Sequence, residues 1–320
     1  MNHRNLLRLF PLAAVILMAA VSCGDDDADD FILKPSGNTP TPSEPSTPSA
    51  SSAQAAGLEI PRLKDGNIFV QHDVEYQGRQ LMNYCLEYDP QARHSRWVAF
   101  RFDPITRQKN VGRSSEPFID DPLLIPSGFS IGYNGFGSNY YDLNNQLQKL
   151  PAKQFDRGHL CASADRYLSR EANEQTFYMS NMSPQMSNFN SPYWSSFENY
   201  VQSRGRDAAF ADTLYVVKGG TIESGQILGH IQRPNGASVT VPRYYFMALL
   251  KCKNQTYSAI AFWMEHKDYG TAELTTQQIS RQAISIDELE EKTGIDFFCN
   301  LPDNIEQTVE ALLMPAAWGL

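Results

Sequence analysis

The sequence predicts an α+β domain built on a largely antiparallel sheet. Segments rich in aromatic and β-branched residues stand at Asn67–Val74, Gln80–Asp89, Ser95–Asp103, Thr213–Gly219, Tyr244–Cys252 and Tyr257–Glu265. Turn signals at Tyr76-Gln77-Gly78 and Asp89-Pro90 punctuate the first three. Strands and helices are mixed without the βαβ alternation that builds a parallel sheet.

Taken in order, the chain opens with Arg4 and Arg8, an apolar core from Leu9 to Val21, then Ser22-Cys23. The run is short for a membrane span and acids follow at once, so residues 1–22 read as an export signal. Ala20-Val21-Ser22-Cys23 resembles a bacterial lipobox, which implies lipid on Cys23 and a membrane anchor without a spanning helix. An ordinary secretory signal with a chance cysteine is the alternative. Residues 23–57 are acidic, then rich in Pro, Ser, Thr and Ala, with little to bury; they are expected to form a disordered spacer. The folded domain is assigned to 58–320, exported and held at the cell envelope.

Export permits disulfides. Cys85, Cys161, Cys252 and Cys299 allow three connectivities, of which Cys85–Cys161 with Cys252–Cys299 is favoured. No zinc-type cysteine spacing is present. The net charge of −9 argues against broad electrostatic coating of nucleic acid, although Arg157, Arg166, Arg170, Arg204 and Arg206 offer a local basic surface.

Within the domain, the two segments Tyr244–Cys252 and Tyr257–Glu265 are expected to be central strands. Gly128–Gly137 reads as loop or short strand. Tyr193, Trp194, Phe197, Tyr200 and Val201 recur at helical spacing, predicting a helix over Ser191–Gly205. Ser285-Ile286-Asp287-Glu288 reads as a capping box, with Gly294 closing the helix that follows.

The chemistry concentrates in Asp156-Arg157-Gly158-His159, with Asn190 and Glu198 downstream. An imidazole can take a proton from water near neutral pH. A guanidinium holds phosphate by paired hydrogen bonds. An amide oxygen suits Mg²⁺, which keeps most of its waters. Gly158 is expected to let a bulky backbone approach His159. His72, His94, His230 and His266 carry no such neighbourhood and are expected to be structural or surface residues. On one continuous helix Asn190 and Glu198 would be about 12 Å apart along the axis, too far for both to ligate one ion directly. If Asn190 binds the ion, Glu198 is therefore expected to act through a metal-bound water. Asn190 could equally cap the helix, and Glu198 could lie on a solvated face; the spacing leaves both open.

The residues Phe155-Asp156-Arg157-Gly158-His159-Leu160, Thr176 to Gln185, and Asn188-Phe189-Asn190 with Trp194 and Glu198 resemble the DNA/RNA non-specific endonucleases, the ββα-metal nucleases with a DRGH motif. Arg96-Trp97-Val98-Ala99-Phe100 resembles the family's early strand, and Thr293-Gly294-Ile295-Asp296-Phe297-Phe298 its closing segment, so the resemblance spans about residues 67 to 305. It implies a sugar-non-specific endonuclease acting on DNA and RNA and leaving 5′-phosphates. His159 would be the general base, and Asn190 the direct ligand of Mg²⁺ (or Mn²⁺ in its place). Glu198 would position a metal-bound water, and Arg157 would support the phosphate. Arg113 matches a phosphate-binding position, and Asn181 a position that supports the site or substrate. Two departures stand out: Gln202 occupies a place where members carry Arg, for which Arg204 could substitute, and Cys161-Ala162 replaces a proline-containing pair. A catalytically inactive binding module and a narrower nucleotide phosphodiesterase are the alternatives.

Overall fold

The computed structural model describes residues 57–151 and 153–320. The export signal, Cys23 and nearly all of the expected spacer lie outside the described residues.

Seven strands form the main sheet, in the order β1 (Ile68–Tyr76), β2 (Arg79–Asp89), β3 (His94–Phe102), β8 (Thr213–Gly220), β11 (Tyr244–Lys253), β12 (Thr256–Glu265) and β13 (Ala283–Ile284). Every pairing in it is antiparallel. The period of two sends neighbouring side chains to opposite faces. Val98, Phe100, Met247, Leu249, Ile260 and Phe262 therefore enter one core. Trp97, Ala99, Phe246, Ala248, Leu250 and Ala261 enter another. Both faces are covered, so strands such as β11 are continuously apolar rather than alternating. Of the two strands expected to be central, β11 is interior, while β12 is flanked by the two-residue edge strand β13.

A helix over Ser195–Arg206 covers the first core with Phe197 and Val201. Helices Ile286–Thr293 and Asp303–Ala311 cover the second through Ile286, Leu289 and Val309. Ser285 Oγ accepts from the Glu288 backbone N–H at 3.1 Å, the forward half of the expected capping box. The Glu288 carboxylate turns instead to Lys292 at 3.3 Å. Gly294 closes this helix at φ 63°, a left-handed conformation that glycine adopts without cost.

A second sheet joins β10 (Ser238–Pro242), β9 (Ile227–Gln232), β4 (Asn139–Asp142) and β5 (Leu147–Lys149). The segment read as loop or short strand at Gly128–Gly137 is mostly irregular. The buried Arg233 guanidinium fixes it by donating to the carbonyls of Ile131, Gly132, Asn134 and Gly135. A separate two-stranded ribbon pairs β6 (Phe155–His159) with β7 (Met182–Met186).

Both expected disulfides fail. All four cysteines among the described residues are free. Cys85 belongs to one core and Cys161 to the other, so their thiols lie on opposite faces of the sheet. Cys252 pairs across the sheet with Tyr257, while the Cys299 thiol sits 3.8 Å from the Ile60 carbonyl.

Candidate active site

The β6–β7 ribbon opposes Asp156 to Gln185, Gly158 to Ser183 and His159 to Met182. The chain then makes an irregular turn over Phe189–Trp194 before the regular helix begins at Ser195. Ser191 is extended there (φ −145°, ψ 123°), so the expected single helix from Ser191 does not form and its axial spacing does not apply. The Trp194 indole N–H reaches both the His159 carbonyl at 3.2 Å and Glu198 Oε1 at 3.0 Å. One donor thus ties the end of the ribbon to the first turn of the helix.

Asn190 caps nothing: neither the turn nor the helix has a side-chain cap bond. Its Nδ2 donates to Asp156 Oδ2 at 3.1 Å, and Ser187 Oγ donates to the other Asp156 oxygen at 2.9 Å. An ionised carboxylate only accepts, so this bond fixes which end of the amide faces Asp156. Asn190 Oδ1 is left without a partner among the described residues. A free amide oxygen, with the partly exposed Glu198 carboxylate further along the same segment, suits a hard, largely hydrated divalent ion. The residues present fit such a group.

The His159 ring lies against Phe118 at 5.7 Å and edge-on to Phe177 at 5.3 Å between centroids. Its Nε2 is buried and has no hydrogen-bond partner. Arg157 lies over Phe118 at 3.9 Å and Arg113 over Phe177 at 4.9 Å. Each guanidinium is therefore placed by a phenyl ring that also holds the imidazole. Arg157 further donates to the Tyr133 carbonyl at 2.8 Å. Burial, reinforced by the cations Arg113, Lys218 and Arg157, pushes the His159 pKa down to about 3. The ring is neutral throughout the physiological range and able to accept a proton.

Sequence reasoning missed the buried network beneath the site. Lys218 and Asp165 are both 0 % exposed and pair at 2.8 Å. The Lys218 ammonium is also 3.8 Å from Glu198 Oε1. Burial works against the Lys218 charge, but Asp165 and Glu198 outweigh it and raise its pKa. Burial pushes Glu198 up to about 7, against the pull of Lys218. A lone lysine inside the apolar strand Leu214-Tyr215-Val216-Val217-Lys218 was the available signal.

Four sequence expectations are corrected. Asn181 does not face substrate: it is fully buried, its Oδ1 accepts from Cys161 N at 2.8 Å, and its Nδ2 donates to the Cys161 and Thr176 carbonyls at 2.8 Å each. It braces the segment after His159, where a proline was missing. At Gly158 a Cβ would collide with the Gln185 side chain, so close strand packing demands glycine there, not substrate approach. Arg204 does not replace the missing arginine, since it lies over Tyr200 and Phe210 at the far end of the helix. Arg166 is likewise buried, donating to the Asn83 and Arg101 carbonyls at 3.2 and 3.1 Å, and offers no basic surface.

His266 supports the ribbon. Its Nε2 accepts from Met186 N at 2.8 Å while Nδ1 donates to the Pro242 carbonyl at 2.8 Å, an arrangement only the neutral ring can make. Burial lowers its pKa to about 4. Between pH 4 and 6.5 the unfolded ring binds the proton and the folded one does not, so its contribution is full above 6.5 and lost as pH falls. The stability advantage of wild type over His266→Gln should shrink by about 2 kcal/mol from pH 7 to pH 5. Urea titrations at the two pH values measure it, and a constant difference would refute the assignment.

A family model described as DNA/RNA non-specific endonuclease matches residues 65–304. Mitochondrial endonuclease G of Bos taurus is 29% identical over 181 residues, 54% of each chain. Mitochondrial nuclease EXOG of Xenopus laevis is 27% identical over 237 residues, covering 70% of this chain and 59% of that one. A nuclease of Nostoc sp. is 28% identical over 164 residues, 49% of this chain and 55% of its own. The chain thus spans a little over half the length of these relatives. A chain in the crystal structure of an EndoG/EndoGI complex superposes with a TM-score of 0.55 at 21% identity, covering 82% of this chain and 96% of that one, a likeness of fold.

Proposed function

Because the chain belongs to the DNA/RNA non-specific endonuclease family, we propose that it hydrolyses internal phosphodiester bonds of DNA and RNA with His159 as general base and a hydrated divalent cation, Mg²⁺ or Mn²⁺, as cofactor. The observation that carries this is the neutral His159 ring with a buried, unpartnered Nε2, flanked by two guanidinium groups.

His159 Nε2 takes a proton from a water molecule, whose oxygen attacks phosphorus as the bond to the 3′-oxygen breaks. The 3′-oxygen leaves with a solvent proton, giving a 3′-hydroxyl and a 5′-phosphate. Arg157 and Arg113 hold the non-bridging oxygens. Asn190 Oδ1 would hold the ion directly, oriented by Asp156, and Glu198 would hold it through water. The ion would supply charge stabilisation at the phosphate and the leaving oxygen. No step uses a ribose 2′-hydroxyl, so both nucleic acids serve as substrates.

Plasmid DNA and RNA should both be cleaved internally with Mg²⁺ and be left intact with EDTA. Cleavage insensitive to EDTA would sink the metal proposal, and turnover of dinucleotides without polymers would favour a narrower phosphodiesterase. The same proposal makes the enzyme exported and lipid-anchored through Cys23. Wild-type activity should then sediment with membranes, and Cys23→Ser should release it.

A further inference from the structure

We propose that Asp287, Glu290 and Glu310 form a second divalent-cation site, of the Ca²⁺ type, on the face of the main sheet opposite the nuclease ribbon. Asp287 and Glu290 stand three residues apart on helix Ile286–Thr293, a spacing that puts both on one face. Glu310 comes from the last turn of helix Asp303–Ala311. One carboxylate oxygen from each lies within 4.8 Å of those of the other two.

The independent sign of a ligand is Glu310 itself. It is only 6 % exposed, and its Oε1 is buried without a hydrogen-bond partner. Among the described residues none of the three carboxylates enters an ion pair. Lys292 is engaged by Glu288 and Arg62 by Asp296. Glu290 accepts one backbone N–H, from Phe297 at 2.7 Å. Asp296 and Glu306 add further negative charge around Glu310.

A buried carboxylate with no partner is expensive, and three together repel one another. A hard cation removes both costs. Three oxygens sharing one Ca²⁺ at 2.3–2.6 Å can stand about 4.0–4.5 Å apart, and the shorter bonds of Mg²⁺ require them closer. The three carboxylate oxygens, all within 4.8 Å of one another, need at most a small adjustment to reach the larger ion. Asp287 is exposed, which leaves room for water to complete the shell. Burial and the neighbouring acids push Glu310 up to about 9, and burial pushes Glu290 up to about 7, so ion binding would displace protons. The ion would clasp helix Asp303–Ala311 to helix Ile286–Thr293. Affinities of extracellular Ca²⁺ modules, on the order of 10⁻⁴–10⁻³ M, suit an exported protein.

Thermal melting of the full chain with Ca²⁺ or with chelator, in the absence of Mg²⁺, tests this. Ca²⁺ at about 100 times its Kd should raise the wild-type Tm by about 5 °C. Asn190→Ala should keep the shift, and Glu310→Gln and Asp287→Asn should each lose most of it. Asp287 is exposed, so its variant folds even if the buried substitution does not. No shift in wild type, a full shift in both acidic variants, or a shift abolished by Asn190→Ala would overturn the proposal. These outcomes are independent of nuclease activity.

Discussion

His159→Ala is expected to reduce hydrolysis of DNA and RNA by about 10²–10⁴-fold, the usual contribution of a general base. Among the other described histidines, His94 and His266 are buried, His72 is held by Asp121 at 3.0 Å, and His230 lies on β9 of the second sheet. A base with a pKa of about 3 is neutral but weak. Much of that depression beyond burial comes from Arg113, Lys218 and Arg157. A phosphate seated between the two arginines would offset their charge and make the ring more basic when substrate is present. The alanine variant also empties the space between Phe118 and Phe177, so its fold must be checked by circular dichroism. His159→Asn fills most of that space and should be equally inactive. Single-turnover cleavage within tenfold of wild type in either variant would remove His159 from the mechanism.

Lys218→Met is expected to destabilise the protein by about 3–5 kcal/mol, as when one member of a buried pair is removed and the other is left charged. Asp165 would be stranded: its Oδ1 already lacks a partner, and its Oδ2 would keep only the Ala162 N–H at 2.9 Å. The effect extends to the site. Lys218 is the principal influence holding the Glu198 pKa down against burial. Without it Glu198 should be protonated at neutral pH, and cleavage should then need a higher Mg²⁺ concentration and a higher pH. Lys218→Met with Asp165→Leu should recover most of the stability while leaving the altered Mg²⁺ and pH dependence. A single variant as stable as wild type, with an unchanged pH profile, would refute the role.

The strands were legible because their side chains are of the type a pleated, buried surface takes. Those of β1, β2, β3, β8, β11 and β12 lie within a residue or two of the segments read from the sequence. The short strands β4, β5, β9 and β10 were not legible. They are three to six residues long and partly exposed, and the two hairpins they form are joined only through the long-range β4–β9 pairing. The Phe189–Trp194 turn also escaped, since aromatic spacing reports burial and not whether the backbone between the buried positions is helical.

At the site, the motif together with the family resemblance singled out His159, Asn190, Glu198, Arg157 and Arg113. Their types limit the chemistry to a proton acceptor, an oxygen ligand and phosphate-binding cations. The sequence could not say what each side chain touches. Asn181 turned inward because both ends of its amide meet backbone groups of Cys161 and Thr176. Asn190 gave up capping because Asp156, 34 positions earlier, claimed its Nδ2. The proposed Cys85–Cys161 disulfide failed because the two thiols enter cores on opposite faces of the main sheet, a fact set by the tertiary structure and not by spacing. Residue type is local, whereas charge state, orientation and burial are set by neighbours the fold alone brings near. The sequence by itself therefore determined the main sheet, the family and the candidate site residues. Only the tertiary structure decided that Lys218 lies beneath Glu198, that the His159 ring is held neutral between two phenyl rings, and that three acids converge on the opposite face.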